Sequence, residues 1–451
     1  MIVAALLVLV AGLATGGVAR TSARARPPLV AHFPGQPDWL GPKPPVRLRV
    51  WAGTAAVVTG AVIVAAFVQP LATLVVAVVG ALVLTLTAGL LHRYATDCRK
   101  VAEAVDAYAP RIAVPYAGKV GVHIGMWSPW IDRTGIPWCI VAHSPAQFRE
   151  LAAMYDTPIV QGAIPPSVRG AFYPHGAAKN SEFINGSSAK HVFLGHGDSD
   201  KPLSASERVL QYDIITVAGQ AAIDRFAAAG LSVPADKLRI IGRPQTEGID
   251  PATGPMPRPA TVLYAPTWRH ADDSLNVSSL AAADTIVQAL LDRDCNVIFR
   301  RHFAGQNHVE AEAMIARVNA LLEADAAKTD RPHRWGAEAM EQPLIEAFNS
   351  ADAMVSDVSG IVVDFMASQK PLVMYAAQYA DPHAFRQAHR TAAAAYVIDR
   401  DLKLLDDVLN SALGEDPLAA TRAEHADYFL GGPERAEPAK RFIDLIRELS
   451  R

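Results

Sequence analysis

Three stretches near the N-terminus contain no charged side chain, and we predict that they form membrane-spanning helices. They cover residues 2–18, 51–68 and 71–91. Each is close to the roughly 20 apolar residues that a helix needs to cross a bilayer core. Residues 51–91 together are too long for one span, so the last two stretches are predicted to form a helical hairpin. A buried soluble hairpin is the alternative, but it needs a polar face that 57–66 does not have.

The charges beside these stretches predict their orientation. Arg20, Arg24 and Arg26 follow the first apolar stretch, whereas a signal peptide carries its basic residues before it. The loop 20–50 holds six basic residues and one acidic residue, and such loops stay in the cytoplasm. We therefore expect a multi-pass protein of the cell membrane whose remaining chain lies in the cytoplasm.

Beyond residue 95, apolar runs of strand length alternate with amphipathic stretches of helical period. The predicted strands are 138–142, 191–195, 213–218, 238–241, 261–265, 296–300, 353–356 and 371–375. The predicted helices are 146–154, 220–229, 280–292, 309–322 and 361–368. This alternation is typical of an α/β protein with parallel sheets covered by helices on both faces.

A segment rich in proline and glycine, 242–260, interrupts this alternation and is predicted to be a linker between two domains. The predicted domains are therefore a transmembrane region 1–94, a Rossmann-like domain 95–241, the linker, and a second Rossmann-like domain 261–451. Two such domains facing each other across a cleft are typical of a GT-B transferase. Ligands of these sheets bind beyond the carboxyl ends of the strands, so residues that follow strands are the candidate site residues.

Composition and charge exclude other classes of protein. The chain has 451 residues, of which 51% are hydrophobic and 19% charged, which excludes a disordered chain. Residues 1–100 carry a net charge of +7 and residues 101–451 a net charge of −10, so the globular part is not a nucleic-acid binder by charge. Three widely separated cysteines match no zinc spacing and favour a reducing compartment.

Four turns that follow predicted strands carry residues suited to phosphate. After strand 353–356, the turn places Ser356, Asp357, Ser359 and Gly360 at the start of a helix, where backbone N–H groups bind anions. Helix capping by Ser or Asp is the alternative explanation of this turn, and the local sequence does not decide between them.

The other three turns supply histidine, lysine and arginine. His196 lies between two glycines after strand 191–195, where an imidazole suits a general base, and Lys201 follows it. Arg300, Arg301 and His302 form a cationic cluster after strand 296–300. A glycine-rich turn and a solvated charged edge are the respective alternatives.

The fourth turn, after strand 261–265, brings Thr267 and Arg269 to another strand end. The chain contains no dinucleotide-binding, P-loop, zinc-protease or serine-hydrolase signature, so these chemistries lack their usual support.

Together these motifs resemble the CDP-glycerol glycerophosphotransferase family, the teichoic-acid primases and polymerases. The family pattern HGTPxK is similar to 196–201, with His, Gly and Lys in register. YAPTxR is matched in full by 264–269, and RxH is matched by Arg300 and His302. [ST]DxSSxxxD is similar to 356–364 and ends at Asp364. The series covers roughly residues 170–380 in the family's order.

The resemblance implies transfer of a polyol phosphate, glycerol phosphate above all, from a CDP-activated donor to a hydroxyl of a cell-envelope acceptor, with release of CMP. It implies that His196 is the base and that His302 is a second catalytic residue. The donor phosphates would be held by a set of side chains and one glycine: Lys201, Thr267, Arg269, Arg300, Ser356, Asp357, Ser359, Gly360 and Asp364. No cofactor or metal is expected. The expected partners are the donor, a lipid-linked or polymer acceptor and the bilayer, but no nucleic acid.

Two other functions stay open at this point. A GT-B glycosyltransferase or sugar-nucleotide epimerase would share the fold but would use a UDP-sugar. A non-catalytic membrane scaffold would keep the fold without turnover. The identity of the nucleotide donor separates these hypotheses.

Overall fold

The computed structural model describes residues 29–36, 39–40, 70–118, 121–195, 206–270, 272, 275–302, 309–432 and 437–451. The strands in these residues are β1 (Val30–Ala31), β2 (Trp39–Leu40), β3 (Ile112–Tyr116), β4 (Trp138–Ala142), β5 (Ile159–Gln161), β6 (Gly170–Tyr173), β7 (Lys190–Phe193), β8 (Ile214–Val217), β9 (Leu238–Ile240), β10 (Thr261–Tyr264), β11 (Asn296–Phe299), β12 (Ala353–Ser356), β13 (Leu372–Tyr375) and β14 (Tyr396–Ile398).

The α-helices of the same residues are α1 (Pro70–Tyr108), α2 (Val122–Gly125), α3 (Ser128–Asp132), α4 (Pro145–Met154), α5 (Asn180–Asn185), α6 (Gln220–Ala228), α7 (Ala283–Leu291), α8 (Val309–Thr329), α9 (Gly336–Glu341), α10 (Leu344–Ser350), α11 (Gly360–Phe365), α12 (Pro382–Ala388), α13 (Leu405–Ala412), α14 (Ala419–Leu430) and α15 (Lys440–Leu449). Strands and helices alternate along most of the chain, which confirms the predicted α/β class.

The chain divides into two compact units that interleave along the sequence. The first unit comprises Met1–Ile124, Gly135–His191 and Leu449–Arg451, and the second comprises Gly125–Thr134 and Val192–Glu448. The segment 192–241, which the sequence analysis assigned to the first Rossmann-like domain, therefore groups with the second unit.

In the first unit, four parallel strands lie side by side in the order β5-β4-β3-β6. A short antiparallel pair, β1 and β2, continues the sheet beyond β5. Helix α1 packs its C-terminal part into this unit, because Cys98, Val101 and Val105 are buried and the Tyr108 hydroxyl donates to the Trp138 carbonyl at 3.0 Å.

The second unit contains the part of β7 from Val192 onwards, the strands β8 and β9 that run parallel to it, and a parallel sheet of five strands in the order β11-β10-β12-β13-β14. Side chains of β10 alternate between two hydrophobic clusters: Val262 and Tyr264 lie in one, and Leu263 lies in the other. The first cluster takes its helical side from α7, α8 and α13, and the second from α10, α11 and α14. The five-stranded sheet is thus covered on both faces, as a parallel sheet requires.

The predicted membrane spans 2–18 and 51–68 lie outside the described residues. The third, 71–91, falls within α1, which continues without a break to Tyr108. Over the residues that the structure describes, no helix combines the length and the apolar character of a membrane span. The described part of the chain therefore does not support the predicted three-helix membrane segment.

Candidate active site

The carboxyl ends of three neighbouring strands bring the predicted site residues of the second unit together. β10 lies between β11 and β12, and all three strands run parallel. The residues that follow them, Arg300–His302, Thr267–Arg269 and 357–360, therefore emerge at one edge of the sheet. This is the edge at which ligands of open α/β sheets bind.

Asp357 fastens the β10 turn to the β12 turn. Its carboxylate accepts the Thr267 backbone N–H with both oxygens at 3.0 Å, and Oδ2 also accepts from the Ser279 N–H at 2.8 Å and hydroxyl at 3.0 Å. The residue is fully buried, and these donors compensate the charge that burial would otherwise make costly. The carboxylate of Asp357 thus positions the β10 turn, and its contact with phosphate stays a prediction.

Ser356 and Asp364 are likewise engaged inside the protein. The buried Ser356 hydroxyl donates to the Ala265 carbonyl at 2.7 Å, which joins the same two turns. The Asp364 carboxylate forms a buried, two-pronged ion pair with Arg243, at the start of the predicted linker. The Ser356 hydroxyl thus donates to a backbone carbonyl and the Asp364 carboxylate accepts from Arg243, and phosphate binding by these two side chains stays a prediction.

The side-chain oxygen of Thr267 is available to a ligand. Its N–H is held by Asp357 and its carbonyl accepts the Ser278 hydroxyl at 2.7 Å. Its own Oγ1 is buried and has no hydrogen-bond partner within the described part of the chain. An unsatisfied buried hydroxyl costs about 1–3 kcal/mol, so a ligand that reaches it gains a preorganised hydrogen bond.

Three arginine side chains follow the ends of the neighbouring strands β10 and β11. The Arg269 guanidinium, 15% exposed, pairs at 3.2 Å with Glu310, whose side chain is 65% exposed. Arg301 lies 3.7 Å from Glu312. Arg300 donates to the carbonyls of Ala339 and Gln342 at 2.5 and 2.6 Å, at the C-terminal end of α9, and burial lowers the pKa of its guanidinium. Arg300 is thereby oriented by the protein, and His302 follows it half-buried.

The turn before α11 contains a serine whose hydroxyl does not cap the helix and a glycine whose backbone is accessible. Ser359 is the residue before the helix, but its side chain makes no capping hydrogen bond. The helix-capping explanation of this serine is therefore wrong for its side chain. A methyl group added at Gly360 would meet no atom within 4 Å, so the backbone is open to approach at that point.

His196 and Lys201 lie outside the described residues, as does all of 196–205. The residue before them is anchored: the Gly195 carbonyl accepts the Trp127 indole N–H at 3.0 Å. Gly195 has φ +71°, a left-handed conformation that favours glycine. Among the described residues, no group of histidine, cysteine and carboxylate side chains forms a metal site.

Sequence analysis missed a second polar edge, in the first unit. His143 follows β4 and lies 2.9 Å from Glu182, and the Tyr116 hydroxyl at the end of β3 lies 3.0 Å from His123 Nδ1. β3 is missing from the predicted strands, so Tyr116 was not recognised as a strand-end residue. His143 could have been found, because β4 was predicted with its observed bounds.

Comparisons with known proteins bear on the second unit. Residues 236–393 match the family model described as CDP-glycerol:poly(glycerophosphate) glycerophosphotransferase. This match contains all three strand ends of the candidate site and covers roughly a third of the chain. A search of curated protein sequences returned no match.

Two solved structures illustrate the fold similarity. The wall teichoic acid polymerase TagF is 12% identical, covers 78% of this chain and 93% of its own, and superposes with a TM-score of 0.45. The S. aureus MnaA–UDP structure is 10% identical, covers 75% and 97%, and has a TM-score of 0.45. Values this low carry no argument about activity. The family match over residues 236–393 confirms the resemblance seen in the motifs: this segment is similar to the glycerophosphotransferase enzymes.

Proposed function

We propose that this protein transfers glycerol phosphate, or a related polyol phosphate, from a CDP-activated donor to a hydroxyl of a cell-envelope acceptor and releases CMP. The single observation that carries the proposal is the convergence of three strand ends at one sheet edge. These ends supply cations and hydroxyls, and all of them lie in the segment that matches the family. We further propose that the two units together act as a GT-B enzyme.

The donor's pyrophosphate needs positive charge and hydrogen-bond donors, and the described edge offers both. We assign Arg269, Arg300 and His302 the role of balancing the negative charge of the pyrophosphate. The hydroxyls of Thr267 and Ser359 are assigned to donate hydrogen bonds to its oxygens. The pair between Arg269 and the exposed Glu310 is a surface pair worth about 0–1 kcal/mol, so a phosphate can replace it at low cost. A hydrogen bond between a guanidinium and a phosphate is stronger, at about 1.5–3 kcal/mol.

The transfer itself is written as one substitution at phosphorus. The acceptor oxygen forms a bond to the phosphorus that carries the polyol, and the bond from that phosphorus to the bridging oxygen breaks. The electron pair of that bond leaves with CMP, and the hydroxyl proton passes to a base. We assign the base to His196 from its sequence motif alone. The cations stabilise the charge that gathers on the phosphoryl oxygens and on CMP.

We also propose that the protein is attached to the cell membrane with its catalytic units in the cytoplasm. Supporting this, α1 exposes an apolar stripe at helical spacing, formed by Val75, Val78, Val79, Leu82 and Leu86. These side chains are 55–62% exposed, which is unusual for clustered large apolar residues and typical of a membrane or protein contact. The predicted spans 2–18 and 51–68, which lie outside the described residues, remain part of this proposal.

One experiment tests the reaction. Membranes containing the full chain are incubated with CDP-glycerol, CDP-ribitol or UDP-sugars, and release of CMP or UDP is measured. The proposal expects CMP release from a CDP-polyol that depends on Arg269. UDP release instead would establish the glycosyltransferase or epimerase alternative, and no release from any donor would leave the scaffold hypothesis.

A second experiment tests the attachment. A reporter fused after Arg451 is expected to be active only in the cytoplasm, and the protein is expected to sediment with membranes. A reporter active only outside the cytoplasm would overturn the proposed orientation.

A further inference from the structure

A pocket of about 300 Å³ lies at the carboxyl edge of the sheet in the first unit, apart from the donor site described above. His143 directly follows β4 and Gly162 directly follows β5, and these two strands pair in parallel. The Gly162 N–H donates to the Ala142 carbonyl at 2.9 Å, which ties the two strand ends together. The floor of the pocket is thus rigid sheet.

Helix α5 closes the opposite wall. Its Glu182 places Oε2 2.9 Å from His143 Nε2, and its Phe183 ring meets the imidazole edge-on, with centroids 5.8 Å apart. The His143 side chain is 16% exposed and lies deep, whereas Glu182 is 64% exposed and reaches solvent. The pocket therefore presents one carboxylate, held in place by an imidazole, at its mouth.

The remaining lining is small or apolar. Ala163 and Ile164 follow Gly162, and Gly186 ends α5. Gly162 has φ +108° and a methyl group added there would meet no atom within 4 Å, so the pocket is open above its backbone. Such a lining accepts the C–H surface of a ligand, while the carboxylate fixes its polar groups.

The charge of the pocket determines which kind of ligand it can bind. None of the described residues that line it is a lysine or an arginine, and its carboxylate repels phosphate. Oε2 of Glu182 is shared with His143, which leaves Oε1 to accept from a ligand. An ionised carboxylate only accepts hydrogen bonds, so the ligand must donate, as a hydroxyl does. This is the opposite of the arginine-rich edge in the second unit.

We propose that this pocket binds an uncharged, hydroxyl-rich group, a sugar or polyol terminus, and that it holds the acceptor of the transfer. The assignment to the acceptor rests on the proposed function, in which the second substrate is a hydroxyl compound. A pocket of this volume accommodates about one such unit, at the lower end of ligand-site sizes. Glu182 is the specificity residue, and His143 positions it.

The test is a titration of the purified full chain by ligand-observed NMR, without nucleotide. Methyl β-glucoside is the neutral probe, and glycerol 3-phosphate of similar size is the charged one. We expect saturable binding of the glucoside and a clear preference for it. Ala163→Phe, which fills the exposed side of the pocket, should abolish binding. Glu182→Gln should weaken it about 10-fold or more.

Glu150→Gln is the matched control, because it removes the same charge from an exposed position on α4 of the same unit. It should leave binding unchanged, and circular dichroism checks that each variant is folded. Absence of glucoside binding to the wild type, preference for glycerol 3-phosphate, or binding unaffected by Ala163→Phe each overturns the proposal.

Transfer assays separate this inference from the proposed function. With an accepted CDP-polyol, Ala163→Phe should raise the KM for acceptor at least about 10-fold and leave the KM for donor unchanged. An unchanged acceptor KM contradicts the acceptor assignment even where CMP release is intact. Sugar binding without any CMP release would support the ligand assignment of the pocket and contradict the proposed polyol-phosphate transfer.

Discussion

Both carboxylate oxygens of Asp357 accept the backbone N–H of Thr267 at 3.0 Å, although the two residues are 90 positions apart in the chain. This contact makes the β10 turn and the β12 turn one hydrogen-bonded structure. The proposed donor site is therefore held together by a side chain that need not touch the donor, and its disruption should alter stability and binding together.

Replacing Asp357 by Asn tests this relationship. The amide turns one acceptor into a donor facing backbone N–H groups, so we expect a loss of about 1–3 kcal/mol of unfolding free energy and weaker donor binding. Chemical denaturation and donor titration measure the two effects. Asp407→Asn, on the exposed surface of α13, is the control and should change neither by more than about 0.5 kcal/mol. Wild-type donor affinity in the Asp357 variant would contradict the positioning role.

Replacing Arg269 by Ala should weaken donor binding by about 10- to 150-fold, because one charge-assisted bond to phosphate is lost. Its present partner Glu310 is mostly exposed, so stability should change little. Arg317→Ala is a matched control, since it removes an exposed ion pair with Asp284 from the same unit. Equal donor KM values in both variants would exclude Arg269 from the site.

The buried pair of Arg243 and Asp364 should behave as a structural element. Removing Arg243 alone leaves a buried carboxylate without its counter-ion and should cost about 3–5 kcal/mol. The double variant Arg243→Met with Asp364→Leu should recover much of that loss. A double-mutant cycle in denaturant measures the coupling. Donor affinity that stays lost in a stable double variant would support Asp364 as a donor-binding residue.

His196→Ala should lower turnover by about 10²- to 10⁴-fold while donor binding stays intact, because a positioned base contributes that range. His302→Ala should impair donor binding as well as turnover. CMP release and donor titration on the same membranes separate the two histidines. Near-wild-type turnover of His196→Ala would place the base elsewhere.

Stability should fall as pH is lowered through about 6.5, in part because of His175. Burial lowers the pKa of its imidazole below that of the unfolded chain. Between the two values the unfolded state binds more protons, so the stabilisation is present above the unfolded pKa and is lost towards the folded one. Denaturation midpoints between pH 5 and 8 should be less pH-dependent in His175→Phe than in wild type. His383→Phe, at an exposed position, is the control.

Four of the five strands in the parallel sheet of the second unit could be predicted, because they are continuous apolar runs bounded by polar turns; β14 was missed. The strand at 353–356 was predicted with its observed bounds, and 261–265 and 296–300 each ended one residue late. The strands Ile159–Gln161 and Gly170–Tyr173 were missed, since runs of three or four residues carry little periodicity.

The roles of individual site residues were harder to predict than their location. Sequence placed Ser356 and Asp357 at the end of a strand, but it could not show which distant groups they contact. It likewise could not show that Arg243 pairs with Asp364. Those partners lie 78 to 121 positions away. His143 could have been noted as the residue after a correctly predicted strand, whereas Glu182 was missed because it meets His143 only when α5 folds against that strand end.

The length of helix α1 sets the distance between its exposed apolar side chains and its C-terminal end. It runs unbroken over 39 residues, about 58 Å at 1.5 Å per residue, and β3 begins four residues after it ends. Among the α1 side chains that the structure describes, Leu86 is the last large apolar one that is exposed, about 33 Å along the helix from Tyr108. If that stripe contacts the bilayer, the helix works as a spacer, and a lipid-linked acceptor must carry enough units beyond its headgroup to span the gap. Shortening α1 by whole turns would then shift which acceptor lengths are used.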